Sequence, residues 1–513
     1  LRLSTKHANQ QTITKYDFQG GLNSTTAQEM IADNQLYEVI NMEPDSTTGL
    51  LRTVDGTEVL QKFNFDIFSA MWDKINKKFV VVSTETKAIN DASSVFHDVY
   101  VSDLETCTRK GSLSGNALPI YALWEDGLLL ASGGKLQYWN GTELVKIEAS
   151  PDTCDGVYVR NGRVIVSTGG NNQLKYSGLG DENNWTENNN NDSSSKFLET
   201  GYKDGGNFIG MANLSDDIIF VKDNGYVYRL VGNYPNWAMK EISHEVDCNG
   251  RKSLCSLANN VMIFGKNKIQ LIDTTQDYGD MKVTNIATNI SNELAKLPND
   301  APMVYLPPIN QVWIVGDKGK VLVYDCNYGS FFIRMFNTDV VDVFHAGDNV
   351  IVVKKNELTR LKSRSCIDAG LNLKWRFRAK RLVSQNEYLL KRVQVNITPY
   401  FDGYSNNTLT VGGITMTLPM PWSVYQVYNN FSTIYNNDAK VFGNYENVIK
   451  YAVGDKVYQN NELVYENDRM TYAVGNLSKN IRCVYRNKSI DIQASGNGGN
   501  FILNSINFDV VEV

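Results

Sequence analysis

Four basic side chains alternate with apolar ones in the stretch KWRFRAKRL. Lys374, Arg376, Arg378 and Lys380 are set against Trp375, Phe377 and Ala379. On a strand, successive side chains point to opposite faces, so this spacing puts the four cations on one face and the apolar residues on the other. Arg381 breaks the alternation, and Lys391 and Arg392 follow on the next predicted strand. The chemistry open to such a stripe is electrostatic. It is either a solvent-facing row paired with acidic neighbours, or an interface for an acidic partner subunit or for DNA phosphate.

Other residue types that do chemistry are present without the spacing it needs. The glycine pairs in YDFQGGLNS (Tyr16 to Ser24) and GNGGN (Gly496 to Asn500) lack a dinucleotide or P-loop fingerprint and read as turns. The four His (His7, His97, His244, His345) lie in no metal-ligand spacing with one another or with a Cys. No GxSxG elbow supports a Ser nucleophile. The 56 Asp and Glu always allow an imagined glycosidase pair, but SGLGDENNW (Ser177 to Trp185) resembles a sialidase Asp-box only superficially. The seven Cys are odd in number and irregularly spaced, which predicts free thiols from a reducing cytoplasm. No catalytic residue, metal ligand or cofactor site is therefore expected. The insert NNWTENNNNDSSSK (Asn184 to Lys196) is too polar to fold by itself and is expected to be a solvated inter-strand loop or a contact surface.

The elements that must position these residues are strands. Tyr, Val, Ile and Thr in short runs, separated by Asn, Asp and Gly, predict an all-β protein. Seven apolar runs recur: KKFVVVST, GLLLASG, GRVIVST, DDIIFVK, NVMIFGK, QVWIVGD and NVIVVKK. From the second onward each is followed by a turn and a second apolar stretch, such as KLQYWNG or KVLVYD. The run starts lie about 35 to 55 residues apart, the spacing of four-stranded propeller blades. A blade cannot bury its faces alone, and stacking around an axis does so. The expected fold is an all-β protein: a β-propeller of about seven blades over residues 53–364, an N-terminal arm and closing segment over 1–52, and a C-terminal β-rich, sandwich-like region over 365–513. A short helix is expected around Ala27 to Ala32. The last two strands, around GNGGN, are expected to belong to a small sandwich or to a sheet that returns to close the ring. No run of about 18 apolar residues is present, so no membrane-spanning segment is expected. The net charge of -6 argues against a surface that grips nucleic acid throughout.

YDFQGGLNS followed by IADNQLYEVINMEPDSTTGLLRTVDG resembles the opening of a family of bacteriophage virion proteins, the tail hub, nozzle or head-closure stabilisation components of short-tailed phages. The matching positions are Gly20, Gly21, Leu22, Asn23, Asn41, Gly49, Leu51, Arg52 and Gly56. YSGLGDENNW, DGGNFIGMANLSDDIIFVKDNGYVYRLVG, MVYLPPINQVWIVGDKGKVLVYDCNYGSFFIRMF and LLKRVQVNIT resemble later segments of the same family, in order. Many relatives have Arg-Pro-Gly where this chain has RTVDG, so its turn is less preset. The resemblance implies a β-propeller structural protein of the virion tail or neck, without enzymatic activity, assembled in the host cytoplasm. It implies a homo-oligomeric ring of about six or twelve copies that meets portal or adaptor and tail-fibre proteins and closes the DNA exit channel. Phage DNA would pass transiently during genome ejection, without sequence-specific binding. A mildly acidic chain suits that passage because it does not hold phosphate. A receptor- or glycan-binding propeller at the tail tip is the alternative. The stripe Lys374, Arg376, Arg378, Lys380, Arg381, Lys391 and Arg392 is the expected oligomer or partner interface.

Overall fold

The computed structural model describes residues 10–89, 92–168, 172–188, 190–201, 204–214, 217–257, 259–274, 281–400, 407–418, 449–451, 456–459, 462–466, 471–473 and 477–512. His7, the start of the arm and Asp216 of the fourth apolar run lie outside these. The chain divides into two compact units: Glu58–Cys326 with Thr338–Leu361, and Leu1–Thr57 with Asn327–Asn337 and Lys362–Val513. The arm and the C-terminal region, read separately in the sequence, are thus grouped in one unit.

The first of these units is the β-propeller. Seven antiparallel sheets follow one another along the chain, and each apolar run is the second strand of its sheet. The first sheet runs Asp66–Asp73, Lys78–Ile89, Asp98–Ser102, Cys107–Ser112, with Ala92–Phe96 folded back on the long second strand. The second to fifth start at Ile120–Trp124, Gly156–Arg160, Phe208–Leu214 and Leu254–Ser256. The sixth contributes Met303–Leu306, Gln311–Val315 and Lys320–Asp325. The seventh runs Val340–Ala346, Asn349–Lys354, Glu357–Lys362, and takes Gly56–Lys62 from far back in the chain as its outer strand. The first strands of the second to seventh sheets lie side by side in order, and that of the seventh lies against that of the first. Val80 and Val82 of the first sheet pack with Leu128 and Leu130 of the second, so the ring is closed.

Physical reasons for this order are visible locally. Second strands such as Gly127–Ala131, Arg163–Ser167 and Val261–Gly265 are buried at every position, because each is covered by a sheet on either side. Asn161 and Gly162, at φ 50° and 67°, form the two-residue turn that joins Arg160 to Arg163. The apolar cores lie between sheets. Ile67, Ala70, Phe79 and Val81 of the first sheet pack with Phe344, Ile351, Val353 and Leu358 of the seventh. Within the seventh sheet the closing strand is tied to its neighbour by ion pairs, Lys62 to Glu357 at 2.7 Å and Glu58 to Arg360. Closure by this N-terminal strand differs from closure by the C-terminal strands. The stretch GTEVLQK alternates like any edge strand and does not declare a partner some 300 residues away.

The second unit is built on two sheets. One has the order Met42–Pro44, Leu51–Thr53, Asn500–Glu512, Leu382–Tyr400, Leu477–Ile490, with Gln10–Lys15 also paired to Asn500–Glu512. The other has the order Gly21–Leu22, Gln35–Ile40, Lys374–Ala379, Ile492–Asn497, Thr408–Val411, Ile414–Thr417. Gly498 and Gly499, both near φ 76°, turn the chain from the second sheet into the first. Trp375 meets Phe501 edge-on at 5.1 Å, and its indole N–H donates to Gly498 O at 2.9 Å. The helix expected at Ala27 to Ala32 is not formed. That segment is a turn, with the Met30 amide on Ala27 O. The buried Gln28 side chain donates outward to Ala379 O instead of lying along a helix.

Candidate functional site

The residues of the family-like opening converge in the second unit, where they hold the arm to strands distant in sequence. Gly20 donates to Asn34 O, and a Cβ there would stand 2.7 Å from the Asn34 side chain. Gly21, at φ 65°, passes so close to Phe331 that a Cβ would lie 2.8 Å from its carbonyl oxygen. Asn23 accepts from the Thr26 amide and donates to Gln35 Oε1 at 2.9 Å. Gly49, at φ 69°, closes a turn onto Asp45 O. Gly56 runs against the Ile367 carbonyl, which leaves no room for a side chain.

Asn41 is the knot. It is buried in the left-handed region at φ 53°, a conformation that Asn tolerates better than most residues. Its Nδ2 donates to Met335 O at 2.9 Å and to Lys374 O at 2.7 Å, while its Oδ1 accepts from the Met335 amide at 2.7 Å. Beside it, Glu43 is buried between two guanidinium groups. Arg334 reaches both its oxygens at 2.7 Å, and Arg52 reaches one at 2.8 Å. Arg52 also meets Asp55 at 3.1 Å. Burial alone would favour the neutral form of Arg52, but Glu43 and Asp55 outweigh it and hold the guanidinium firmly charged. The arrangement is a buried polar clasp, and its chemistry is structural.

The basic stripe has the expected alternation. Trp375, Phe377 and Ala379 are buried, Lys374 and Arg376 are exposed, and Arg378 is half-buried. Most of its charge is matched inside the chain: Arg376 to Glu38 at 2.7 Å, Lys380 to Asp33 at 3.1 Å, Arg381 to Asp491 at 2.8 Å and Arg392 to Asp509 at 2.8 Å. The hydrogen bond from Lys380 holds the Asp33 carboxyl below its usual range. Lys374, Arg378 and Lys391 make no ion pair among the described residues, and Lys391 sits in a bulge between Leu390 and Arg392. The seven residues therefore do not form one free cationic surface.

Two further clusters carry no pattern in the sequence. At the propeller axis the Lys252 ammonium donates to Asp342 Oδ2 at 2.6 Å and to Ser69 Oγ at 3.1 Å, while Tyr121 Oη donates to Ser69 Oγ at 3.3 Å. Ser69, Tyr121 and Asp342 lie on the first strands of the first, second and seventh sheets, and Lys252 lies just before the fifth. Burial pushes the Tyr121 hydroxyl well above its ordinary value. Arg251, next in the chain, pairs with Asp155 at the entry to the third sheet. Such residues are invisible to a reading along the chain, since each comes from a different sheet. The second cluster anchors the polar insert. Fully buried Arg163 donates to Ser177 O at 2.7 Å and Ser194 O at 2.8 Å, and its guanidinium lies 4.0 Å from the Tyr234 ring centroid. The insert is thus a loop pinned through its backbone carbonyls.

Residues of catalytic type are scattered. Buried His97 stacks on Phe68 at 4.0 Å, His244 lies 3.8 Å from Glu241, and His345 turns back toward Gly347 O. All seven Cys are free thiols, with Cys154 and Cys248 each pushed up to about 12 by burial. Among the described residues no three His, Cys, Asp or Glu converge as a metal would require.

No family model and no curated protein matches the chain. Among solved structures it is similar to YCF48 bound to D1 peptide, at 11% identity over 60% of this chain and 97% of that one, with a TM-score of 0.38. It is also similar to the Pan2 WD40 domain of Neurospora crassa, at 10% identity over 61% of this chain and 95% of that one, with a TM-score of 0.39. The β-propeller assignment stands on the chain's own seven sheets and on the closed circle in which each packs against the next.

Proposed function

We propose that this chain is a non-enzymatic structural subunit of a bacteriophage tail or neck, acting as a hub, nozzle or stabilisation component that forms a homo-oligomeric ring. In this reading the ring closes the DNA exit channel beneath portal and adaptor proteins and anchors tail fibres. The observation that carries it is the clasp. Gly20, Gly21, Asn23, Asn41, Gly49, Arg52 and Gly56, which resemble the virion family in order, are all engaged in tight backbone approaches or buried hydrogen bonds of one unit. A clasp of this kind serves rigidity, as a subunit bearing the pressure of packed DNA requires. Buried charge elsewhere, as in Lys222 with Asp204 at 2.8 Å, is likewise consumed in internal pairs.

The test is to image particles from the phage that encodes the chain, before and after labelling with an antibody raised against it. Label at the tail or neck, on a ring of about six or twelve copies, is the expected result. Particles that lack the chain altogether would remove the proposal, and label only at the distal tip would favour the receptor-binding alternative.

A further inference from the structure

The strand Leu477–Ile490 is the outer strand of its sheet among the described residues. It carries Lys479, Arg482, Arg486 and Lys488 and no acidic residue. Its register places Arg482 directly opposite Arg392, which in turn faces Asp509. Like charges directly opposite one another destabilise a sheet. Asp509 does not relieve both, because it already takes Arg392 at 2.8 Å and the Thr12 hydroxyl at 2.7 Å. Arg482 is exposed with no partner among the described residues, and Val484, two residues on and on the same face, is 82% exposed. Elsewhere on this outward face Gln394 donates to Ser478 at 3.0 Å and Asn396 to Ser505 at 2.7 Å. The unpaired end is therefore a cationic spot beside an apolar side chain. A second copy of the same strand cannot cover it, since that would set Lys and Arg against Lys and Arg.

The propeller unit offers the complementary charge. Between Lys175 and Lys196 the chain has Asp181, Glu182, Glu187 and Asp192 and no basic residue. Glu182 accepts from the Trp124 indole at 3.0 Å, and Asp192 pairs with Lys196 at 3.2 Å. Asp181 and Glu187 are exposed and have no cationic partner among the described residues. The Trp185 indole donates to Glu182 O at 2.6 Å and Glu187 is bridged to Ser195, so docking of this end orders little new chain.

We propose that Arg482 and Val484 of one copy receive the Asp181–Glu187 end of the insert of the next copy. Such a contact joins two different surfaces head to tail, the type that closes into rings. The inference rests on the ring proposed above and names the contact that builds it. The mass distribution of the purified full chain, followed over concentration at low and high salt, tests it. The expected wild-type result is a closed ring of more than two copies that dissociates as salt rises. Arg482→Glu and the double variant Asp181→Lys/Glu187→Lys should each weaken assembly by about tenfold or more, and all three changes together should restore it. Arg482→Glu should leave the thermal midpoint of the single copy unchanged or raised, since it removes a like-charge pair, so a folding defect is separable from lost assembly. Unchanged assembly of Arg482→Glu, or no rescue in the triple variant, overturns this contact while the ring stands. A wild-type chain that stays single at every concentration overturns contact and ring together, and one that stops at two copies overturns the head-to-tail closure.

Discussion

Glu43 shows how a single side chain can decide the state of a whole clasp. Its carboxylate is buried and shared by Arg334 and Arg52, so its charge is matched only as long as both guanidinium groups stay in place. Removing one partner of a buried ionic set leaves the others uncompensated, at a cost of about 3–5 kcal/mol. Glu43→Ala is thus expected to lower the stability of the unit by that amount in urea unfolding, and Glu43→Gln by less, because an amide still accepts from one arginine. A loss under about 1 kcal/mol for Glu43→Ala would mean that the cluster behaves as a surface pair. The sequence made part of this legible. Gly20 and Gly21 were readable as a turn because glycine supplies conformations that other residues avoid. Glu43 and Arg334 were not, since an isolated Glu and a distant Arg carry no spacing signal and become a pair only in space. The basic stripe was legible as a face, but its neutralisation was not, because Glu38, Asp33 and Asp491 come from other segments.

At the scale of elements, the second strand of every sheet could be read directly. Strands buried on both faces must be continuous in Val, Ile and Leu, and QVWIV and VMIFG have that form. First and fourth strands were harder, since they carry polar residues wherever an axis or an edge is wet. The short helix Ser291–Leu294, in the connection between the fifth and sixth sheets, had no signal at all: four residues are too few for a helical period. Its Glu293 meets Lys296 at 2.6 Å and Lys320 of the sixth sheet at 2.7 Å. Partial burial pushes the Glu293 carboxyl up, but the hydrogen bonds from the two lysines outweigh it and hold it below its ordinary value. A carboxyl lowered in the folded state stabilises the fold above its unfolded value and loses that contribution as pH falls through its folded value. Glu293→Gln should therefore cost about 0.5–1 kcal/mol at pH 7, and the gap to wild type should close below about pH 4. Urea midpoints of both proteins across pH 3 to 7 would check this, and a gap that persists at the acid end would assign the effect to packing.

For the propeller as a whole, the central question is how seven sheets become one cooperative object when each contacts only its neighbours. Apolar seams such as the one between the first and seventh sheets join adjacent sheets and leave distant ones uncoupled. The axial network does something different, because Lys252 next to the fifth sheet reaches Asp342 on the seventh and Ser69 on the first, with Tyr121 of the second joined through Ser69. Charge at the axis thus ties together sheets that share no seam. Replacing Lys252 with Met keeps most of the volume and leaves Asp342 facing the axis without its cation. The expected cost is about 3–5 kcal/mol, and its distribution is the informative part. If the network couples the ring, hydrogen exchange should accelerate together in Asp66–Asp73, Ile120–Trp124, Leu254–Ser256 and Val340–Ala346, the strands that meet at the axis. Faster exchange confined to Leu254–Ser256 would instead show sheets that open singly. Lys252→Met combined with Asp342→Asn removes both charges and should recover much of the loss, because the penalty comes from the orphaned carboxylate more than from the missing ion pair.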